Sequence, residues 1–284
     1  MLGAHSFSRL DPDRIEAGLG TQVIGRQIQF WNQLPSTNDL ALKAAALSAN
    51  CGLVILADEQ TAGRGQHGRR WIAPAGSSLL ISVVLHPVIT ARPGNPITPG
   101  SLSGALICLS AVAVARTIES DLNRSVSFKW PNDLYLDGRK LGGILVEQVP
   151  ADVHRSERPA ETGVVIGIGL NVHRSPPDDP PLLATHLEQH LSVPPDRSDL
   201  VRRLLREMDR LYQQLCQGDW SEIVTGWRER SIHLGQPVSL RTAAGPVSGT
   251  VRSLDPVHGA CLQLAGGLVR EIPAAEILGL ESLS

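Results

Sequence analysis

The sequence predicts an α+β protein in which one large domain is followed by a small β-barrel, and three observations carry that expectation. Apolar runs with the character of buried strands, Leu53-Val54-Ile55-Leu56-Ala57 and residues 79–85, are interspersed with alanine- and leucine-rich helical stretches. Beyond Leu234 the pattern changes to short β segments spaced by glycine-rich turns. A chain of 284 residues is also long enough for one large domain with its own core and a small appendage.

Taken in order, Asp11-Pro12 opens a short capped helix, with proline at its first position and glycine at its end. The first strand of the large domain follows near Gln29-Phe30-Trp31, so fewer than 30 residues precede it. That is too few for the roughly three helices of a helix-turn-helix module, and no DNA-binding extension is expected. Ser36-Thr37-Asn38-Asp39 opens a helix running to about Asn50, with Ser36 or Thr37 as cap and Asp39 in the first turn, where the dipole favours it. The strand 79–85 leads through a Pro/Gly-rich connection, 87–100, to an apolar helix, about 101–121, that reads as core scaffold.

Residues 134–149 form a hairpin turning at Asp137-Gly138, the dipeptide suited to a type I′ turn, with Lys140 just past it. A loop containing Pro150 and Pro159 leads to 163–171, a buried strand interrupted by glycines. Such glycines mark either a bulge or the close approach of another backbone or a ligand. Pro176-Pro177-Asp178-Asp179-Pro180-Pro181 is a loop, and 198–217 an amphipathic helix. Its leucines and Met208 lie on one side, its arginines solvated on the other. Short β patterns at 237–240, 247–251, 260–264 and 268–272 make a small barrel of about 50 residues. The expected division is an extension, 1–27, a central domain, 28–233, and a C-terminal domain, 234–284.

The formal net charge of −2 argues against a broad nucleic-acid-binding face. Cys51, Cys108, Cys216 and Cys261 are widely separated and form no C-x-x-C pair, which suggests neither a zinc site nor a disulfide framework and fits a reducing cytoplasm. The nine histidines are scattered without metal-ligand spacing. The first 30 residues lack a signal-peptide pattern, and no apolar stretch is expected to reach the roughly 18 to 20 residues that cross a bilayer. A soluble, unexported protein with no membrane contact is the expectation.

The basic residues gather instead in Gly63-Arg64-Gly65-Gln66-His67-Gly68-Arg69-Arg70-Trp71. Glycines here permit positive φ and expose N–H groups to a phosphate or carboxylate. Arg64, Arg69 and Arg70 would repel one another without an anion to share, so an anionic ligand is expected, the alternative being a mobile basic loop. Gly63 to Gly68 also satisfies G-x-G-x-x-G, but a dinucleotide site needs a helix at the third glycine and an acidic residue about 20 positions on. The chain gives Trp71-Ile72-Ala73-Pro74 and then a β-rich run, so that reading fails.

A second segment reads Phe128-Lys129-Trp130-Pro131-Asn132-Asp133-Leu134-Tyr135-Leu136, followed by Arg139-Lys140-Leu141-Gly142-Gly143-Ile144-Leu145-Val146-Glu147. These two motifs, in this order, resemble the signatures of biotin protein ligases, which attach biotin to a lysine of biotin-dependent carboxylases. The resemblance runs from about residue 28 to the end of the chain. It implies a mixed-sheet, biotin/lipoate ligase-like catalytic domain followed by an SH3-like β-barrel. It also implies a two-step reaction through biotinyl-5′-adenylate. ATP and biotin are the substrates, Mg²⁺ accompanies ATP, and a lysine of a biotin carboxyl carrier domain is the acceptor; a homodimer is compatible with it.

The resemblance carries over residue by residue. Ser36, Thr37, Asn38 and Gln60 correspond to the partners of the biotin ureido group, which would cost on the order of 2 to 7 kcal/mol to bury unpaired. For Ser36 and Thr37 capping remains an alternative. Arg64 and Lys140 are expected to face the carboxylate or adenylate phosphate, with Gly65, Gln66 and Gly143 beside biotin. Gly63, Gly65, Gly68, Arg69, Trp71, Asn132, Gly167 and Asn171 correspond to the ATP and adenylate side. Arg64, Arg69, Lys129 and Lys140 supply cations where transition-state charge accumulates. Trp71 either anchors the glycine loop or packs in the core.

Asp133 either orients or deprotonates the incoming lysine, whose ordinary pKa of about 10.4 leaves it charged, or serves as a turn carboxylate beside Asn132. No protein-bound metal is expected. Two departures stand out: Gln66-His67 replaces arginine found in many relatives, and no aromatic after Asn171 offers itself to adenine. The rivals are a lipoate or octanoate–protein ligase, and a non-catalytic module that sequesters biotin or its adenylate.

Overall fold

The computed structural model describes residues 9–90, 98–122, 124–149, 163–174 and 183–283. The 176–181 loop, nearly all of the loop after Val149 and residues 91–97 of the Pro/Gly-rich connection lie outside them. Asp11 caps α1 (Pro12–Glu16) as its place before proline predicts, accepting from the backbone N–H groups of Asp13 and Arg14. The central sheet has seven strands: β1 (Gln27–Leu34), β2 (Leu53–Gln60), β3 (Ser78–Leu85), β4 (Ser127–Lys129), β5 (Asp133–Leu136), β6 (Arg139–Gln148) and β7 (Val164–Asn171). Their order is β1-β2-β3-β7-β6-β5-β4, with β1 and β2 parallel and every other pair antiparallel, so the sheet is mixed.

Strand alternation divides the side chains between two cores. On one face Val54, Leu56, Leu79, Ile81, Val83, Ile144, Ile166 and Ile168 pack under α3 (Pro99–Glu119) and α4 (Arg197–Cys216). On the other, Ile55, Ala57, Leu80, Val84 and Val165 meet α2 (Thr37–Ala44) and Trp71. That second face is thinly covered, which leaves room for a site.

Several expectations need correction. Helix α2 ends at Ala44 and a 3-10 turn takes up Ser48–Asn50, so the helix is shorter than the alanine-rich composition suggested. Helix α3 is long and apolar enough to span a bilayer, contrary to the expectation that no stretch is. It is nevertheless mostly buried against the sheet, α4 and α5 (Ser221–Arg230), as core scaffold. The arginines of α4 are not merely solvated. Arg197 is 1% exposed, pairs with Asp58 at 2.8 Å and donates to the Ser78 carbonyl, pinning α4 to the ends of β2 and β3. Arg203 and Arg210 make ion pairs as well. Helix α5 carries only Ile223, Val224 and Trp227 as apolar anchors among ten mostly polar residues, too few to mark a helix in the sequence.

The C-terminal strands are β8 (Pro237–Thr242), β9 (Gly245–Asp255), β10 (Gly259–Gln263), β11 (Val269–Ile272) and β12 (Gly279–Ser282). They form a five-stranded antiparallel sheet, ordered β11-β10-β9-β8-β12, around Val238, Leu240, Val251, Leu254 and Leu262. Strand β12, half-exposed or exposed throughout, carries too little apolar alternation to be read in advance. Trp130 packs against this core, and Arg228 of α5 pairs with the fully buried Asp255, tying the second sheet to the first.

Candidate functional site

The site is built on the α2 face of the sheet, where β6 and β7 present glycine instead of side chains. Val165, Gly167, Gly169 and Asn171 share that face of β7, because alternate residues point the same way. Strand β7 pairs continuously with β3 and β6, so the glycines do not mark a bulge. They make room for two side chains. A Cβ on Gly167 would stand 2.2 Å from Asn38 Oδ1, and one on Gly169 would stand 2.5 Å from the Trp71 ring. The Trp71 ring lies over the Gly143–Gly169 cross-strand pair, with Gly143 in looser contact.

At one end of this glycine floor lies a polar cluster. Ser36, Thr37 and Asn38 are all buried. Ser36 holds the N-cap position without a side-chain capping bond, and the Thr37 hydroxyl donates to Gln60 Oε1 at 3.0 Å, so neither hydroxyl caps the helix as the sequence suggested. Gln60 Oε1 also accepts from the Thr37 backbone N–H at 2.7 Å. The Ser82 hydroxyl faces Thr37 Oγ1 at 2.7 Å and Asn38 Oδ1 at 2.5 Å. Asn38 Nδ2 in turn donates to Glu147 Oε2 at 2.8 Å.

The basic loop folds back on itself: Trp71 N–H donates to Gly63 O, Gly65 N–H to Arg69 O, and Arg64 and Arg70 face each other as an antiparallel bridge. Only a 3-10 turn, Gln66–Gly68, occurs in it, so there is no helix to hold a pyrophosphate. Its positive φ angles fall at His67 and Gly68, not at Gly63 or Gly65. Gly63 is needed for close approach, since a Cβ there would lie 2.5 Å from Trp71 O. Arg64 already has its anions: Nη1 and Nη2 donate to Glu147 Oε1 and Oε2, each at 2.7 Å, and Nε lies 2.9 Å from Asp39 Oδ1. The bonds to Glu147 raise its guanidinium above the usual range. Arg64 therefore needs no outside anion to balance its charge. Gln66 is half-buried, and Arg69 is exposed.

At the other end of the floor stand Lys140 and Asp133, paired at 2.6 Å and both mostly buried. Asp137 and Gly138 both have positive φ, as the turn dipeptide predicts. Just beyond them β6 carries an extra residue: Leu134 pairs with Gly142 and Tyr135 with Lys140, leaving Leu141 unmatched. This bulge buries Leu141 in the α3 core and turns Lys140 to the site face, with its Nζ 5.8 Å from the Trp71 ring centroid. The Lys140 backbone donates to Leu183 O and accepts from Thr185 N–H, so residues 183–185 hold it in place. The bulge, this strap, Ser82 and the role of Glu147 were not read from the sequence. The two-residue period from Gly143 through Leu145 to Glu147 was the available signal for the last.

The remaining predicted residues divide. Lys129 is the cross-strand neighbour of Asp133, its ammonium 5.5 Å from the Tyr135 ring centroid. Burial raises the Tyr135 phenol pKa, with the Asp133 charge adding to it. Asn132 donates to Ile144 O and so serves the backbone. Asn171 donates to Thr185 O, while its Oδ1 is buried without a hydrogen-bond partner among the described residues, as is Trp71 Nε1. Gly68 lies in the loop turn with positive φ and open space where a Cβ would be. Among the described residues no group of three or more His, Cys, Asp or Glu side chains could hold a metal ion.

A model of the biotin/lipoate A/B protein ligase family matches residues 30–171, half of the chain. The chain is 33% identical over 268 residues to the biotin–[acetyl-CoA-carboxylase] ligase of Mycobacterium tuberculosis, covering 92% of this chain and 94% of that protein. It is 30% identical over 272 residues to the bifunctional ligase/repressor BirA of Bacillus subtilis, covering 95% of this chain and 79% of that one. Its fold is similar to that of the biotin protein ligase from Aquifex aeolicus in complex with biotin and ATP. The TM-score is 0.71 at 23% identity, over 91% of this chain and 100% of that one.

Proposed function

The chain belongs to the biotin/lipoate A/B protein ligase family, and on that premise we propose that it is an ATP-dependent biotin–[acetyl-CoA-carboxylase] ligase. The observation that carries the choice of biotin is the shape and chemistry of the floor. A glycine floor with the Trp71 ring over it leads from a dense set of hydrogen-bonding groups, the buried Thr37, Asn38 and Ser82 with the half-buried Gln60, to a mostly buried cation, Lys140. Biotin has the matching order: a ureido ring with two donors and one acceptor, then an apolar arm, then a carboxylate. The dithiolane of lipoate or the bare chain of octanoate would leave the polar cluster with nothing to bond.

A carboxylate forms no amide at neutral pH without activation. Its oxygen attacks the α-phosphorus of ATP, the bond to the β-phosphate breaks, and pyrophosphate leaves. The carrier lysine amine then attacks the acyl carbon, AMP departs and a proton is lost. Mg²⁺ enters with ATP as the counter-ion of its phosphates. Lys140 is placed to offset the mutual repulsion of carboxylate and phosphate, and the buried Asn171 Oδ1 and Trp71 Nε1 leave one acceptor and one donor for the ligand. Asp133 fixes the Lys140 ammonium, and in this reading it also orients or deprotonates the incoming lysine. The acceptor is a carboxyl carrier domain, and the four free cysteines fit a reducing compartment.

Pyrophosphate release measured with biotin, lipoate and octanoate offered separately tests the reading. Release with biotin alone supports it. Release with lipoate or octanoate points to the sister ligases, and tight biotin binding without release points to a non-catalytic module.

A further inference from the structure

Strand β6 changes neighbours near its bulge. Its pairing with β7 runs down to Gly142 opposite Leu170, and beyond that point residues 183–185 stand in for a strand. Lys140 N–H donates to Leu183 O at 2.8 Å, and Thr185 N–H donates to Lys140 O at 2.9 Å. The same strap orients the Asn171 amide, whose Nδ2 donates to Thr185 O at 3.0 Å and so leaves the buried Oδ1 as the acceptor that a ligand meets. Thr185, fully buried, thus serves both residues with its backbone, and its hydroxyl is what remains to hold it. That hydroxyl lies 2.7 Å from His190 Nε2 and 3.3 Å from Gln189 Oε1. The other ring nitrogen of His190, Nδ1, faces Asp137 Oδ2 at 3.4 Å, and Asp137, in the β5–β6 turn just ahead of Lys140, is itself paired with Arg124. One imidazole therefore joins the strap to the turn, and it does so in either charge state. The hydroxyl donates to Nε2 when the neutral ring carries its proton on Nδ1, and to Gln189 when the ring carries both.

We propose that His190 is a positioning residue for adenylate formation: its ring clasps Thr185 to Asp137, fastens the 183–185 strap along β6, and so fixes Lys140 and the Asn171 amide. This rests on the reading of the site as a biotin ligase site. The effect is confined to one end of the floor, because the polar cluster at the other end is held by Gln60, Ser82 and Glu147. With the clasp open, Lys140 still meets a bound carboxylate but no longer in the geometry that the transition state needs.

The test compares the whole protein with His190→Ala, His190→Gln and Thr185→Val, the last removing the hydroxyl at nearly constant volume. Pyrophosphate release at saturating biotin, biotin titration calorimetry and amide hydrogen exchange are measured on each. His190→Ala and Thr185→Val should slow release about five- to tenfold and raise KM for ATP, the scale of one lost hydrogen bond that misplaces a reacting group, with the Kd for biotin changed less than about twofold. His190→Gln should recover most of the rate, since its amide can bond at both ends. Exchange should rise at the Lys140 and Thr185 amides and not in the stretch of β6 that pairs with β7. Release within twofold of the unmodified protein, or biotin affinity and rate lost in step, overturns the proposal, because an idle contact gives the first and a general brace the second. If the unmodified protein releases no pyrophosphate with biotin, the ligase reading falls and the clasp's role with it, a result distinct from failure of the clasp alone. Asp137→Gly, which keeps the positive φ of the turn, repeats the comparison from the other side of the clasp should a variant at the buried positions not fold.

Discussion

Lys140 is the cation on which the proposed chemistry rests, and its surroundings set it apart from the other cations of the site. It is mostly buried and paired with Asp133, whereas Arg64 is engaged by Glu147 and Asp39 and Arg69 is exposed. Lys140→Ala should lower the rate of adenylate formation by roughly 10² or more, the usual cost of removing one preorganised charge. A single-turnover assay of pyrophosphate release checks this, and a rate within twofold of the unmodified protein would reassign Lys140 to a structural hairpin position. Gln66, half-buried in the 3-10 turn of the glycine loop, can donate hydrogen bonds but carries no charge. A charge-assisted bond is roughly twice as strong as a neutral one. Gln66→Arg should therefore slow the escape of preformed biotinyl-adenylate and Gln66→Gly hasten it, with more biotin transferred to an unrelated acceptor such as serum albumin. Equal dissociation rates across the three proteins would rule the idea out.

Among the elements, β7 contributes by what it lacks. Gly167 and Gly169 read in the sequence as a strand with close approaches, without indicating what approached; the answer is Asn38 from a helix and Trp71 from a loop, both distant in sequence. Gly169→Ala should displace the Trp71 ring, since its Cβ would lie 2.5 Å from that ring. The expected outcome is a KM for biotin raised about tenfold or more, of the size that small misplacements at a reacting site produce, with the thermal unfolding midpoint little changed. A proportional loss of both would mean that the glycine serves packing alone. The β5–β6 hairpin was legible because its turn needs two positive-φ residues, which Asp137-Gly138 provides. The bulge at Leu141, just past that turn, was not, since one unmatched residue leaves no compositional mark, although it decides which face Lys140 occupies. Long-range polar partnerships such as Glu147 with Arg64 and Asn38 lay beyond sequence reasoning for the same reason: spacing along the chain says nothing about which strands become neighbours.

At the scale of the whole molecule, the junction of the two sheets carries a pH dependence. His233 lies between α5 and β8, 1% exposed, with Nε2 unpartnered among the described residues. Burial, and then the charge of Lys129, lower its pKa to about 4 from an ordinary 6.5. The unfolded chain thus binds the proton more readily. The contribution of neutral His233 is fully present above pH 6.5 and is lost as pH falls toward about 4, on the order of 3 kcal/mol in all. Urea midpoints measured between pH 7.5 and 4.5 should fall along this limb, and His233→Leu should flatten it; parallel limbs would assign the acid sensitivity elsewhere.

The buried helix α3 also sets a constraint on biosynthesis. It leaves the ribosome before β6, β7, α4 and α5, the elements that later cover it, have been made. At roughly 5–20 residues per second, about 5 to 20 s pass between the emergence of its last turn and that of α4. During that interval the nascent chain displays a segment with the length and apolarity of a membrane anchor. Folding yield in the cell should therefore be governed less by final stability than by what shields this helix while its partners are still being translated. Stalled chains ending before α4 should be the ones that holdase chaperones capture or that aggregate, and chains extended far enough past Arg230 for α4 and α5 to have emerged should not.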